Sequence, residues 1–482
     1  MSDILSLDAI GQLQALTAKR ISATELLEAA VARNKAVKGQ LNAVVASDLA
    51  AARKRAQWVD DQRVAGEPLG PFAGLPMTVK DTFDVEGLPA SAGLKALLGR
   101  TAHDAEAVAR VRAAGAIPWG KTNVPVMAGD WQSFNDVYGT TNNPWDVART
   151  PGGSSGGAAA ALAVGITALE IGSDIGGSLR VPASFCGVLS HKPTWGLVPQ
   201  AGHIPPAPGS HAARDLNVVG PMARSARDLR LLLSMIAQGP IAPKAPPAAL
   251  KGLKVGLWID EPSFPLDPEV RAVIEGFAAR LAGEGCEVEP IRPIDAPALT
   301  ASYLTLLAAV IGTDLPPRML AGMQRMRGLA RLALRFGADP QSWAGQVLDY
   351  TATHAEWLAA HEARERLGAQ IKATFEKRDV IIAPIAPVPA FPHDHKPFQK
   401  RTLKLSDGRS IPYGAMLNWI ALATALGLPA TAFPAGRARS GLPVGVQIIG
   451  PHGGDSRTLA VAEAIEAVFG GYVAPPFEIK GR

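Results

Sequence analysis

Pro151-Gly152-Gly153-Ser154-Ser155-Gly156-Gly157 is separated from Gly172-Ser173-Asp174-Ile175-Gly176-Gly177-Ser178-Leu179-Arg180 only by two short apolar runs, residues 158–164 and 166–171. The order this predicts is a glycine turn, a small-residue helix, a strand and a second glycine turn. The alternation continues upstream, with an apolar run at 75–79, a helical pattern at 105–114 and a short strand at 117–119. Strands alternating with helices predict an α/β fold, a central sheet covered by helices on both faces. Glycines beside each serine let the backbone turn sharply and aim N–H groups at one point, as a nucleophile and its oxyanion hole require. Two such turns in one short stretch point to one active site built from both.

Outward from this stretch, Ser22-Ala23-Thr24-Glu25 has capping-box spacing before an apolar-periodic run, and residues 46–57 read as a further helix. Downstream, 254–258 reads as a strand, 270–375 as mainly helical, 444–449 as a strand and 456–469 as a helix. Two proline-rich segments, 238–250 and 384–397, bracket the helical part. The expected organisation is a single domain over residues 1–482, with a helical insertion or lobe at about 251–383. Residues 414–436 carry no charge and are long enough to span a bilayer, but Asn418, Gly427, Pro429 and Pro434 interrupt them. A buried helix, a turn at Gly427-Leu428-Pro429 and an internal strand are expected there. The start, Met1-Ser2-Asp3-Ile4, has no basic segment leading into an apolar core, so no secretory signal is expected.

With 47% hydrophobic and 19% charged residues, the composition suits a compact protein with a large core. The net charge of +5 is small, and its basic residues are scattered without aromatic interleaving. On that ground nucleic acid is not expected as a partner. Two cysteines, Cys186 and Cys286, make no disulfide framework, and a reducing, cytoplasmic location fits.

Several local patterns compete for the chemistry. Gly115-Ala116-Ile117-Pro118-Trp119-Gly120-Lys121-Thr122 has P-loop spacing, but a helix precedes it where a strand is needed. Pro118 also removes an N–H, so nucleotide binding is rejected. Gly152-x-Ser154-x-Gly156 matches a nucleophile elbow, which needs an acid and then a histidine downstream. His191, His203, His211 and His452 are available, and none has a context that marks a base. His393-Asp394-His395 sits in a proline-rich loop without further ligands and reads as solvated rather than as a metal site. Cys186 reads as a small buried residue. Lys80 ends an apolar run: if it reaches solvent it is ordinary, and if it is buried its pKa falls and it becomes a usable base.

Together, Lys80, the 151–157 loop and Gly172 to Ala183 resemble the amidase signature family. Gly120-Lys121-Thr122-Asn123, Asn143-Pro144-Trp145-Asp146, His191-Lys192-Pro193-Thr194, Gly220-Pro221-Met222-Ala223-Arg224 and Gly441-Leu442-Pro443-Val444-Gly445-Val446-Gln447 are similar too. The signature core covers about 70–230. The resemblance implies a mixed central sheet and the hydrolysis of a linear amide C–N bond in a small-molecule substrate, with no metal or organic cofactor. It implies Ser178 as nucleophile, Ser154 as bridging serine after a cis Gly153–Ser154 peptide, and Lys80 as base. The backbone N–H groups of Ile175, Gly176, Gly177 and Ser178 would form the oxyanion hole, and Asp174 and Arg180 would pair to hold the turn. Met127, Ala128, Gly129 and Trp131 would approach the acyl pocket, alongside the 195–215 loop and the helical lobe. A homodimer is the assembly the family offers.

Some members are glutamine-hydrolysing subunits of tRNA-dependent amidotransferases. Those typically carry Thr where this chain has Ile175 and Gln where it has Val181. The departures favour a stand-alone amidase over that alternative. Membrane-associated members hydrolyse fatty acid amides, and this chain has no comparable N-terminal membrane segment.

Overall fold

The computed structural model describes residues 4–239, 249–338 and 342–478. Residues 1–3 of the expected signal-free start and 240–248 of the expected proline-rich linker lie outside the described residues. Eleven strands join in one sheet. In chain order they are β1 (Val44–Ser47), β2 (Pro76–Lys80), β3 (Ile117–Thr122), β4 (Leu169–Asp174), β5 (Leu189–Lys192) and β6 (Val218–Ala223). They continue with β7 (Lys254–Leu257), β8 (Glu287–Pro290), β9 (Val380–Pro384), β10 (Ala430–Arg437) and β11 (Pro443–Ile449). Their order across the sheet is β1-β3-β2-β4-β6-β5-β10-β11-β9-β7-β8. β2 runs parallel to β3 and β4, whereas β6 is antiparallel to β4 and β5, so the sheet is mixed.

Every residue of β2, β3, β4, β5 and β6 is buried. Successive side chains point to opposite faces, so burial at every position means that both faces are covered. This bears out the expected α/β sheet with helices on both sides. The small-residue helix Gly156–Ala163 is buried along its whole length. At Gly157 an added Cβ would strike the backbone of Asn123, so only glycine allows this approach to the end of β3.

The capping box at Ser22 and Glu25 opens helix Ala23–Leu41. Residues 414–436 resolve into helix Ala421–Ala425 and the internal strand β10, joined through Gly427. Among the described residues no helix is long and apolar enough to cross a membrane. Residues 251–383, where a helical insertion or lobe is expected, carry helices Pro268–Gly283, Ala296–Gly312, Pro317–Arg335, Trp343–Tyr350 and His354–Phe375, and also give β7, β8 and most of β9 to the central sheet.

Several strands depart from the sequence reading, β1 among them: residues 46–47, read as the start of a helix, end that strand, and the helix is Leu49–Ala65. β8 is an edge strand whose residues are mostly exposed, so no apolar run marks it. β4 runs on to Asp174 because Gly172 and Ser173 stay paired with Gly220 and Val219. The second glycine turn therefore starts directly at a strand end, where the sheet fixes its position.

Candidate active site

Lys80 is the last residue of β2, a strand covered on both faces, and it is completely buried. Its Nζ lies 2.8 Å from Ser154 Oγ, 2.9 Å from Ser173 Oγ and 3.4 Å from the Ser173 carbonyl. Burial lowers its pKa from 10.5 to about 7, against the opposing pull of Asp174 and Glu170. Burial pushes Glu170 itself up to about 8. Of the two readings open at Lys80, the buried one holds, and an amine that loses its proton near neutral pH faces a serine hydroxyl.

Ser154 follows a cis Gly153–Ser154 peptide. Glycine is required before it, because a Cβ at Gly153 would collide with the Asp130 carbonyl. The two glycine-serine loops meet directly: Ser155 N–H donates to the Ser178 carbonyl at 3.2 Å. Ser154 and Ser178 are both buried.

The 174–178 turn is held from both ends. Arg180 Nε and Nη2 each reach Asp174 at 3.0 Å, and both side chains are fully buried. Arg180 also donates to Gln447 Oε1 (2.8 Å), Thr424 Oγ1 (2.6 Å) and the Ile420 carbonyl (3.1 Å). Burial alone would raise the Asp174 pKa, but the Arg180 charge and hydrogen bonds overcome it and hold Asp174 down to about 2. Its carboxylate in turn accepts from the N–H groups of Gly177 (2.8 Å) and Leu179 (3.1 Å). Gly177 sits at φ +89°, a conformation side chains other than glycine rarely adopt.

A peptide plane points its C=O and the next N–H in opposite directions, so anchoring one aims the other. The Tyr303 hydroxyl donates to the Ile175 carbonyl at 2.8 Å, which aims the Gly176 N–H the opposite way. The Trp131 indole donates to the Gly176 carbonyl at 2.7 Å, which aims the Gly177 N–H toward Asp174. Of the four N–H groups expected in the oxyanion hole, that of Gly177 is thus already engaged. Those of Ile175, Gly176 and Ser178 carry no hydrogen bond among the described residues.

Of the 127–131 segment, Trp131 reaches the turn. Asp130 receives the Tyr413 hydroxyl (2.7 Å) and pairs with Arg401 (2.5 Å). Met127 packs with Ala90, Ala92 and Ile204 instead, and it and Ala128 take left-handed backbone angles beside Gly129. Tyr303, from helix Ala296–Gly312, and Ile420, from the segment before β10, were not singled out by sequence. Each is one residue within an apolar stretch, and only the fold brings them to the turn.

The competing motifs resolve into structure. Residues 117–122 are β3, behind helix Glu106–Ala113, and Lys121 is buried against the carbonyls of Phe83 and Pro89 and near Asp81. The His191 ring is hydrogen-bonded to Asp455 and Thr431, and not to Ser154 or Ser178. Among the described residues no group of His, Cys, Asp and Glu is arranged to hold a metal ion. Cys186 and Cys286 are free and buried.

Comparison with known proteins adds to this geometry. A family model described as Amidase matches residues 25–459. A glutamyl-tRNA(Gln) amidotransferase subunit from Acidobacterium capsulatum is 32% identical, covering 89% of this chain and 92% of that protein. A crystal structure of an amidase superposes with a TM-score of 0.77 at 30% identity, over 96% of this chain and 99% of the other. The peptide amidase from Stenotrophomonas maltophilia gives 0.76 at 27%, over 98% and 99%. These relatives correct one expectation, that of a chain with a small-molecule partner, no nucleic acid and at most self-association. A relative matched along most of the chain is by name one component of a tRNA amidotransferase. The scatter of basic residues on which that expectation rested does not bear on membership of an assembly that handles tRNA.

Proposed function

The chain belongs to the amidase family and is an amide-hydrolysing enzyme, and from that premise we propose that it works through an acyl-enzyme on Ser178. Neutral Lys80 takes a proton from Ser154 as Ser154 takes one from Ser178, and Ser178 Oγ attacks the amide carbonyl. The N–H groups of Ile175, Gly176 and Ser178 face the developing oxyanion. The proton returns through Ser154 to the leaving nitrogen, the C–N bond breaks, and ammonia or an amine departs. Water then attacks the ester by the same proton path reversed, releasing the carboxylate and free Ser178. The observation that carries this reading is the 2.8 Å contact between a buried Lys80 amine and Ser154 Oγ.

A panel of aliphatic, aromatic and amino-acid amides, run with Ser178→Ala as control, tests it. At least one amide is hydrolysed by the wild type and none by the variant. Full activity in Ser178→Ala contradicts the mechanism. We place this chemistry in the reducing cytosol, in keeping with two unpaired thiols.

A second reading makes the chain the glutamine-hydrolysing component of a tRNA-dependent amidotransferase. The relatives' names favour it, more directly than any name favours a particular stand-alone substrate. Ile175 and Val181 weigh the other way. Glutamine hydrolysis that appears only when the other subunits of such an enzyme are added supports the second reading. Turnover of other amides by the isolated chain supports the first.

Two outcomes follow for either substrate. The base must be unprotonated, so kcat/KM is expected to rise with pH through a single ionisation near 7 and to fall below it, as Lys80 gains its proton. A flat profile between about pH 5.5 and 8.5 in steady-state assays speaks against Lys80 as base. Tyr303→Phe removes the donor that fixes the Gly176 N–H, while burial keeps the native hydroxyl protonated. Losing one hydrogen bond of about 1–1.5 kcal/mol is expected to lower kcat roughly tenfold with little change in KM.

A further inference from the structure

Beside the proton relay lies a side chain that the relay does not use. His203 is buried, edge-on to the Phe83 ring with centroids 4.9 Å apart. Its Nδ1 is 2.8 Å from the Pro205 carbonyl, and its Nε2 is 2.8 Å from Ser173 Oγ. A carbonyl only accepts, so Nδ1 carries the ring proton and Nε2 is the bare acceptor. Ser173 must then donate its single proton to His203. Toward Lys80 Nζ, 2.9 Å away, Ser173 Oγ has only lone pairs to offer.

A neutral amine has two N–H bonds and one lone pair. With Ser173 Oγ and the Ser173 carbonyl both accepting, both N–H bonds are spent on Ser173. The lone pair is left for the third neighbour, Ser154 Oγ at 2.8 Å. Were the Ser173 hydroxyl free to rotate, it would donate into that lone pair and occupy the base. We propose that His203 is a positioning residue: by taking the Ser173 proton it turns the Lys80 lone pair toward Ser154 and sets the direction of proton flow. The inference rests on the relay reading above.

The surrounding charges agree with this arrangement. Burial drives the His203 pKa down to about 3, against the hydrogen bond to the Pro205 carbonyl, so the ring stays neutral. Asp174, at the end of β4, pulls the Lys80 pKa up against burial.

The test compares His203→Gln with His203→Phe, each alone and in a Ser173→Ala background, using the best amide from the panel. Glutamine supplies an acceptor for Ser173 and a donor for the Pro205 carbonyl. Phenylalanine keeps the ring against Phe83 but accepts nothing. His203→Phe is expected to lower kcat by about 10- to 100-fold with KM unchanged, as misdirected catalytic groups do. His203→Gln is expected to stay within roughly threefold of wild type, which is well inside that loss. In Ser173→Ala, itself slower, the competing hydroxyl is gone, so His203→Phe costs nothing further. A purely packing role predicts the reverse order of Gln and Phe and the same loss in both backgrounds, and either result overturns the inference. If His203→Phe fails to fold, a folded His203→Gln that loses tenfold or more overturns it alone. Lys80→Ala separates the two levels: if that variant stays active the relay reading falls, and if it is inactive while the Gln and Phe order is reversed, only the role of His203 falls.

Discussion

Lys80→Ala is expected to lower kcat/KM by about 10³-fold or more, the upper half of what a positioned acid–base group contributes. The amine is fully buried, and three of its contacts are hydroxyl or carbonyl oxygens of the two glycine-serine loops. The loss should fall on kcat, because Lys80 touches Ser154 and Ser173 rather than the space where an acyl group would lie. Lys80→Met, which keeps most of the volume, should be as inactive as Lys80→Ala while unfolding at a higher temperature, since it leaves a smaller cavity. Ser154→Ala should resemble both. Because the residues act as a unit, the double variant Lys80→Ala with Ser154→Ala should be no worse than either single one. Steady-state kinetics on the four purified proteins decides the matter, and a loss below tenfold in Lys80→Ala removes the lysine from the chemistry.

The second large effect concerns stability. Arg180→Met leaves the Asp174 carboxylate buried without its counter-charge, and breaking a buried pair in this way costs about 3–5 kcal/mol. Arg180 also ties the turn to Gln447, Thr424 and the Ile420 carbonyl, so those groups lose their donor as well. The pH dependence has a definite sign. Asp174 is held down to about 2 in the folded protein, below its ordinary 3.8, so its contribution is fully present above pH 3.8 and is lost as pH falls through 2. In Arg180→Met burial is left without the guanidinium to oppose it, and the stability deficit should shrink on acidification as Asp174 takes up its proton. Thermal unfolding at several pH values reads this directly. Replacing both partners, as in Asp174→Leu with Arg180→Met, should recover part of the stability but none of the activity. The carboxylate also receives the Gly177 and Leu179 N–H groups that shape the nucleophile turn. A double variant with wild-type turnover would show that the pair has no part in holding Ser178.

Much of this architecture is legible in the sequence, for identifiable reasons. The alternation of apolar runs with glycine turns marks strands whose both faces are covered, which is why β2, β4 and the helix between the two serine turns can be read directly. The false P-loop is recognisable because Pro118 and the preceding helix are local facts. β8 escapes because an exposed edge strand has no apolar run to announce it. Tyr303 and His203 escape for a different reason: their partners, the Ile175 carbonyl and Ser173 Oγ, are distant in the chain, and only sheet order brings them together. The engagement of the Gly177 N–H by Asp174 is likewise a matter of ångströms within one turn, beyond what a motif specifies. The partner expectation fails because charge pattern reports on surfaces and not on membership of an assembly.

The central claim, that Ser178 and not Ser154 is the nucleophile, is tested most directly by covalent labelling. The wild-type protein is treated with a fluorophosphonate, and the modified peptide is identified by mass spectrometry. One equivalent on Ser178 is the predicted result, absent in Ser178→Ala and strongly slowed in Lys80→Ala. Stoichiometric label on Ser154, or no label on a protein that turns over amides, would contradict it.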